Sequence, residues 1–386
     1  MKRRKFLLTS AGLLAFTLSP GKWLIANTLS EKRKFHFITH HPEDALVPII
    51  QVTPRDGNYN FTYYDVCPFS PSGRYLAATK TLFRNRLPKL GDTAEAHVID
   101  LKEQTIKRVY TTKSWGFQTG AQLQWGATDR YLYTNDVMHD RAVAVRIDLE
   151  TGKTTALAGP MYHISPDETS VIGFPLELLN VTQQGYGVPS QDPENPAKLP
   201  RGAASDQGIW KTDLRTNQKT LILSLADVAA KIPEKPPSEA PPLEQGTFYF
   251  WHSKFNNQGT RIMQVMRCLF PPDTDPDGPF GWGGRNVNVF TANADGTDIR
   301  RMPQEPVWGH GGGHPNWHPN GTHLIRNLYV DGELRLCQFR YDGKDLKVLS
   351  ETIRGGGHPT FEPRGRYMIT DGFPFNEGMQ KVKIRL

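Results

Sequence analysis

Hydrophobic and polar residues alternate in short runs along this chain. Val143-Ala144-Val145-Arg146-Ile147-Asp148 is typical, and its period of two predicts a strand with one buried face. Two stretches near the C-terminus show how such runs are joined. Trp308-Gly309-His310 and three glycines lead into His314-Pro315-Asn316-Trp317-His318-Pro319-Asn320-Gly321 and then Thr322-His323-Leu324-Ile325. The pattern returns at His358-Pro359-Thr360-Phe361-Glu362-Pro363-Arg364-Gly365, followed by Arg366-Tyr367-Met368-Ile369. Each copy reads as a short strand, a tight turn and a second strand.

Sliding this frame backwards finds four weaker copies. They lead through Cys67 to Gly73, Gln122 to Asp129, His163 to Glu168 and His252 to Gly259. An aromatic residue or isoleucine precedes each turn, at Phe69, Trp125, Ile164, Phe255, Trp317 and Phe361. A second set of turns interleaves, for example Leu149-Glu150-Thr151-Gly152 and Tyr341-Asp342-Gly343. Two hairpin turns per unit, at a period of roughly 40 to 60 residues, predict four antiparallel strands per unit and an all-β propeller. The repeated frame argues against an irregular β-sandwich. Six blades are visible, the last stops at an incomplete third strand, and the strand around Val47 to Val52 is expected to close the ring.

Residues 1–30 are expected to lie outside the fold. Lys2-Arg3-Arg4-Lys5-Phe6-Leu7-Leu8 places paired arginines before a modestly apolar run, which resembles a twin-arginine export signal. A membrane anchor is the alternative, since no clean cleavage site follows. The leader also accounts for the charge. Up to Lys34 there are eight Lys or Arg and one Glu, a net of +7 that equals the whole-chain value. Residues 31–386, expected to form one domain, are therefore neutral overall, and the basic total gives no ground for nucleic-acid binding. Three scattered cysteines do not make a disulfide framework. The expected product is a monomeric periplasmic or secreted protein with no membrane contact beyond its leader.

The frame sets Gln122, His252, His314 and His358 at one equivalent step, the opening of the innermost strand. Imidazoles converging on a channel axis suit a divalent metal such as Mn, Ca or Zn, and each could equally be a hydrogen-bonded channel-lining histidine. Loops expected on the same face carry His139, Tyr186 and Arg201, a set that could serve as acid, base and anion clamp. Trp251 and Trp308, with Gln122, are candidates for substrate contact, because flat indole faces suit sugar rings.

Several runs together resemble the seven-bladed propeller polysaccharide lyases, the oligogalacturonate lyases and ulvan-lyase-like enzymes. They are Gln122-Leu123-Gln124-Trp125, Gly185-Tyr186-Gly187, Gly208-Ile209-Trp210-Lys211-Thr212-Asp213-Leu214, Asn293-Ala294-Asp295-Gly296 and the unit at His314. The resemblance implies β-elimination on uronate-containing glycans, with an acidic oligosaccharide or polysaccharide as ligand. It implies His252 as base and His314 as a metal ligand on the oligogalacturonate pattern. On the ulvan pattern it implies Tyr186 with His139 for proton transfer and Arg201 on the carboxylate. Two departures stand out. The chain ends before the final unit that supplies most metal ligands in the oligogalacturonate enzymes, and Gln118 or Gln122 stands where the ulvan type carries a second histidine. A non-catalytic sugar- or protein-binding propeller, or a truncated inactive relative, is the competing expectation.

Overall fold

The computed structural model describes residues 24–25, 30–41, 48–189, 199–232, 243–270, 286–303, 314–351, 356–372 and 383–385. Its strands form antiparallel meanders, each starting at an inner strand and running outward in chain order. The second sheet places Gln124–Trp125 inside, then Tyr131–Met138, Arg141–Asp148 and Thr154–Ala156. The third comprises His163–Ile164, Ser170–Gly173, Gly208–Asp213 and Lys219–Ser224, and the fourth Thr247–Phe255, Arg261–Leu269, Asn286–Asn293 and Arg300–Arg301. The fifth runs from Asn316–Trp317 through His323–Val330 and Glu333–Arg340 to Lys347–Val348. The sixth contains Thr360–Phe361, Met368–Gly372 and Lys383–Arg385. This is the expected β-propeller.

Residue chemistry explains the stacking. Thr247–Phe255 is buried along its whole length, because neighbouring sheets cover both of its faces. Its aromatic run Phe248-Tyr249-Phe250-Trp251 belongs to the main apolar core. The frame's turns are where the sequence put them. Gly321 and Gly365 both take φ of 70°, a left-handed backbone open to glycine, and Glu168 takes the same place in the third sheet at 55°.

A polar stitch joins successive sheets at the residue before four of the framed positions, Trp125, Ile164, Phe255 and Trp317. Gln124 Nε2 donates to the Tyr162 carbonyl at 2.6 Å, and the Phe255 amide donates to His163 Nδ1 at 3.3 Å. Lys254 Nζ donates to the Pro315 carbonyl at 2.9 Å, and Asn316 Nδ2 to the Pro359 carbonyl at 3.1 Å. These bonds satisfy buried strand ends that the turns leave unpaired.

The first sheet departs from the pattern. Its order is Arg33–Lys34, Thr105–Thr112, Ala94–Asp100, Tyr75–Thr81 and Asn58–Asn60. Asn60 pairs with Thr79, whereas the next inner contact is Phe69 with Leu76. Residues 61–68 thus face only Ala77 and Ala78, and the surplus chain leaves the sheet and enters the propeller's centre.

Three expectations change. Ile49–Gln51 pairs with Ile38–His40 in a separate ribbon, so this strand is not seen closing the sixth sheet. Leu24–Ile25, from the segment expected outside the fold, pairs with Thr154 and Thr155 on the edge of the second sheet. The segment expected to be the loop that carries Tyr186 begins with a helix, Leu176–Thr182, that buries Leu176 and Leu179 in the main core. All three cysteines are free, and no helix among the described residues is long and apolar enough to cross a membrane.

Candidate active site

Three of the four framed positions share a left-handed backbone: φ is 53° at Gln122, 54° at His252 and 63° at His314. Such angles are uncommon outside glycine and cluster where surrounding structure imposes them. At His252 the strand register also slips between Trp251 and Lys254, a bulge that re-aims the imidazole. Sequence register therefore translates into a common backbone device at the start of the inner strand.

The excursion from the first sheet fills the space between these strands. The Tyr63 ring stacks on His252 at 5.8 Å and meets Tyr186, His314 and His358 at 6.0, 6.5 and 5.7 Å. Tyr63 Oη lies 3.4 Å from His358 Nε2, while Tyr64 Oη donates to the Pro315 carbonyl at 3.0 Å. Asp65 Oδ2 is 2.9 Å from Lys254 Nζ and 3.3 Å from His252 Nδ1. Tyr162 Oη also lies 3.3 Å from His252 Nδ1. His314 and His358 overlap with ring centroids 3.8 Å apart, and His358 Nδ1 is 2.7 Å from Asp371 Oδ2.

Burial dominates the electrostatics. It holds His252 down to about 3, against an upward pull from Asp65 and a further downward push from Lys254. Burial, aided by His358 and His252, also keeps His314 well below the usual histidine range. Burial alone would raise Asp65, but Lys254 and His252 overcome it and leave the carboxylate well below the ordinary range. Burial drives Tyr63 and Tyr64 far above the usual phenol value, so both keep their protons. His252 and His314 are thus neutral, and Tyr63 and Tyr64 are proton donors.

One cation completes the group. Arg267 is 8% exposed, lies 5.2 Å over the Trp251 ring and donates from Nη1 to Gln183 Oε1 at 2.5 Å. Its Nε has no hydrogen-bond partner and it makes no ion pair with an acid among the described residues. A nearly buried guanidinium without an acid is an opening for an anionic ligand.

Of the residues singled out from sequence, the structure gathers Tyr186, Trp251, His252, His314 and His358. Tyr186 meets Trp251 edge-on at 4.2 Å, and Trp251 is only 1% exposed. Its indole is a buried platform and offers no face to a sugar. Gln122 is also buried, its Oε1 accepting from Asn135 Nδ2 at 3.1 Å. His139 sits exposed in the turn between Tyr131–Met138 and Arg141–Asp148, and Arg201 is exposed with its guanidinium on the Gln245 carbonyl. Neither has a described contact with the cluster. Trp308 lies outside the described residues. Tyr63, Asp65, Lys254 and Arg267 were missed, although a charged residue inside the apolar run Ile262 to Leu269 marks Arg267 in the sequence.

The imidazole pair meets part of the requirement for a divalent ion. Both rings are within the group, and the Asp371 carboxylate on His358 Nδ1 leaves Nε2 in ligand form. Among the described residues, however, no three His, Cys, Asp or Glu side chains form a group that could hold one.

No family model matches the chain, and no curated protein matches its sequence. Solved structures do. An oligogalacturonate lyase in complex with manganese superposes with a TM-score of 0.57 at 16% identity, covering 89% of this chain and 79% of that one. An oligogalacturonate lyase from Vibrio parahaemolyticus gives 0.57 at 15% identity, over 92% and 82%. The chain therefore shares the propeller fold of these lyases.

Proposed function

We propose that this chain is a polysaccharide lyase that cleaves uronate-containing oligosaccharides by β-elimination, in the manner of an oligogalacturonate lyase. What carries the proposal is Arg267, a nearly buried guanidinium with no acid partner among the described residues, in the same cluster as the neutral imidazole of His252. Fold likeness to the lyases agrees with it. β-Elimination needs the uronate carboxylate neutralised, a base for the C5 proton and an acid for the departing C4 oxygen. Arg267 receives the carboxylate and stabilises the charge that spreads onto it as C5 loses its proton. His252 Nε2 takes that proton, C4=C5 forms and the C4–O bond breaks. A phenol protonates the leaving oxygen, with Tyr63 and Tyr186 as the two donors in place. His139 and Arg201 take no part, because His139 lies exposed in a turn and Arg201 lies exposed with its guanidinium on the Gln245 carbonyl. A divalent ion, when bound, would be held by His314 and His358 and would supply further neutralisation of the carboxylate.

Export through a twin-arginine leader completes the proposal and places the enzyme where acidic glycans are met. The test is to incubate the protein with a panel of oligouronides and follow the ultraviolet absorbance of a C4=C5 double bond. Product is expected, with most of the rate lost in His252→Ala and Arg267→Ala. Absence of unsaturated product from every uronate, or undiminished turnover in His252→Ala, overturns it.

A further inference from the structure

The lyase reading uses His252 but leaves Asp65 and Lys254 without a role. Both are enclosed, with side-chain exposure of 0% and 2%. Such a pair is costly to bury and stabilises little over an apolar replacement, so its presence beside a working imidazole calls for a reason. Lys254 Nζ has three acceptors within reach, namely Asp65 Oδ2, the Pro315 carbonyl at 2.9 Å and Asn316 Oδ1 at 3.3 Å. An ammonium has three hydrogens to give, so the geometry matches the charged form. Burial pushes Lys254 down, yet Asp65 is held low by this same partner, and the matched donor count favours an ion pair.

His252 Nδ1 faces two oxygens, Asp65 Oδ2 and Tyr162 Oη, each at 3.3 Å. A phenol can donate or accept, whereas a carboxylate can only accept. The carboxylate therefore decides which ring nitrogen carries the hydrogen.

We propose that Asp65 and Lys254 are positioning residues for His252: Asp65 fixes the tautomer with hydrogen on Nδ1, and Lys254, anchored on the Pro315 carbonyl and Asn316 Oδ1, holds the Asp65 carboxylate in place. Nε2 then presents its lone pair to the channel. The catalytic part of this inference rests on the lyase reading, but the tautomer does not. Asp65 reaches His252 from the excursion at residues 61–68, so the positioning group and the base are 187 residues apart in the chain.

The experiment reads the two parts separately. Imidazole nitrogen NMR on the full-length protein labelled with nitrogen-15, with His252→Gln as the assignment control, is expected to show Nδ1 protonated and Nε2 bare at neutral pH. An Nε2-protonated ring in the native protein overturns the proposal whatever the enzyme does. In Asp65→Asn the amide can donate to Nδ1, which moves the hydrogen to Nε2. Turnover is expected to fall by about 10²–10⁴ with KM little changed, since a correctly held base is worth that much. Turnover within about threefold of native, from a variant with native circular dichroism, overturns it. In Lys254→Met the carboxylate loses its anchor, and a mixture of the two tautomers is expected at neutral pH. A ring that stays wholly Nδ1-protonated there removes Lys254 from the proposal. If no uronate is turned over at all, the lyase reading fails while the nitrogen spectra still decide the tautomer.

Discussion

Acidification should unfold this protein early, and the three histidines with the most depressed values set the size of the effect. Burial holds His163 at about 4, His252 at about 3 and His314 well below the usual range. In the unfolded chain each returns to a value near 6.5. Folded-state values that are depressed mean that, between about pH 4 and 6.5, the unfolded chain binds more protons than the folded one. Stability is then complete above about pH 6.5 and is lost as the pH falls. With close to three protons of difference, the slope is about 4 kcal/mol per pH unit, and the loss between about pH 7 and pH 5 is about 6 kcal/mol. That is comparable to the whole stability of an ordinary domain. Glu177 works the other way, because burial raises its carboxyl, and it offsets at most a fraction of one proton. Urea titrations followed by tryptophan fluorescence at several pH values give the slope directly. His163→Asn keeps an acceptor at the Nδ1 position for the Phe255 amide and should remove about a third of it, since one of three titrating rings is gone. A loss of about 2 kcal/mol or less across the window would mean that no more than one of these rings is buried and neutral, and the electrostatic account of the channel would fall with it.

Other perturbations probe separate parts. Arg267→Lys should lower turnover on an oligouronide by about tenfold or more, because a point charge replaces a planar donor array; an unchanged kcat/KM would remove Arg267 from the carboxylate. A methyl group in Gly187→Ala would run into the Asn180 amide and the Leu176 carbonyl, so thermal unfolding should show about 1–3 kcal/mol of destabilisation, with slower turnover because Tyr186 is adjacent. Elemental analysis should find a divalent metal that is diminished in His358→Ala and His314→Ala; equal metal in all three proteins would disprove the pair as ligands. Arg3→Lys with Arg4→Lys should abolish export of folded protein, and an unaltered exported fraction in a cell-fractionation assay would exclude the twin-arginine route.

The register of turns was enough to locate the inner strands, and with them His252, His314 and the bend they share with Gln122. That worked because turn glycines and alternating strands are local signals. Gln122 shows the limit of equal register, because its side chain bonds Asn135 of its own sheet while the histidines face the centre. Asp65 and Tyr63 were invisible for a different reason. Nothing local announces that residues 61–68 oppose two alanines and must leave the sheet. His139 and Arg201 were chosen for lying on loops, but where a loop's side chains go depends on partners far along the chain, here Gln245 for Arg201. Arg267 was legible in principle, since a charge within an apolar strand needs a purpose.

The excursion at residues 61–68 has a consequence for the timing of synthesis. Its contacts reach Leu123 in the second sheet through Thr62, Lys254 in the fourth, Pro315 at the edge of the fifth and His358 at the edge of the sixth. The ribosome makes this segment early, yet two of its four anchor points emerge only in the last quarter of the chain. A nascent chain thus carries an unfilled clasp for most of its elongation, and the proposed catalytic centre matures at the moment the last sheets arrive. Assembly of that centre is therefore coupled to the docking of the fifth and sixth sheets onto the earlier ones.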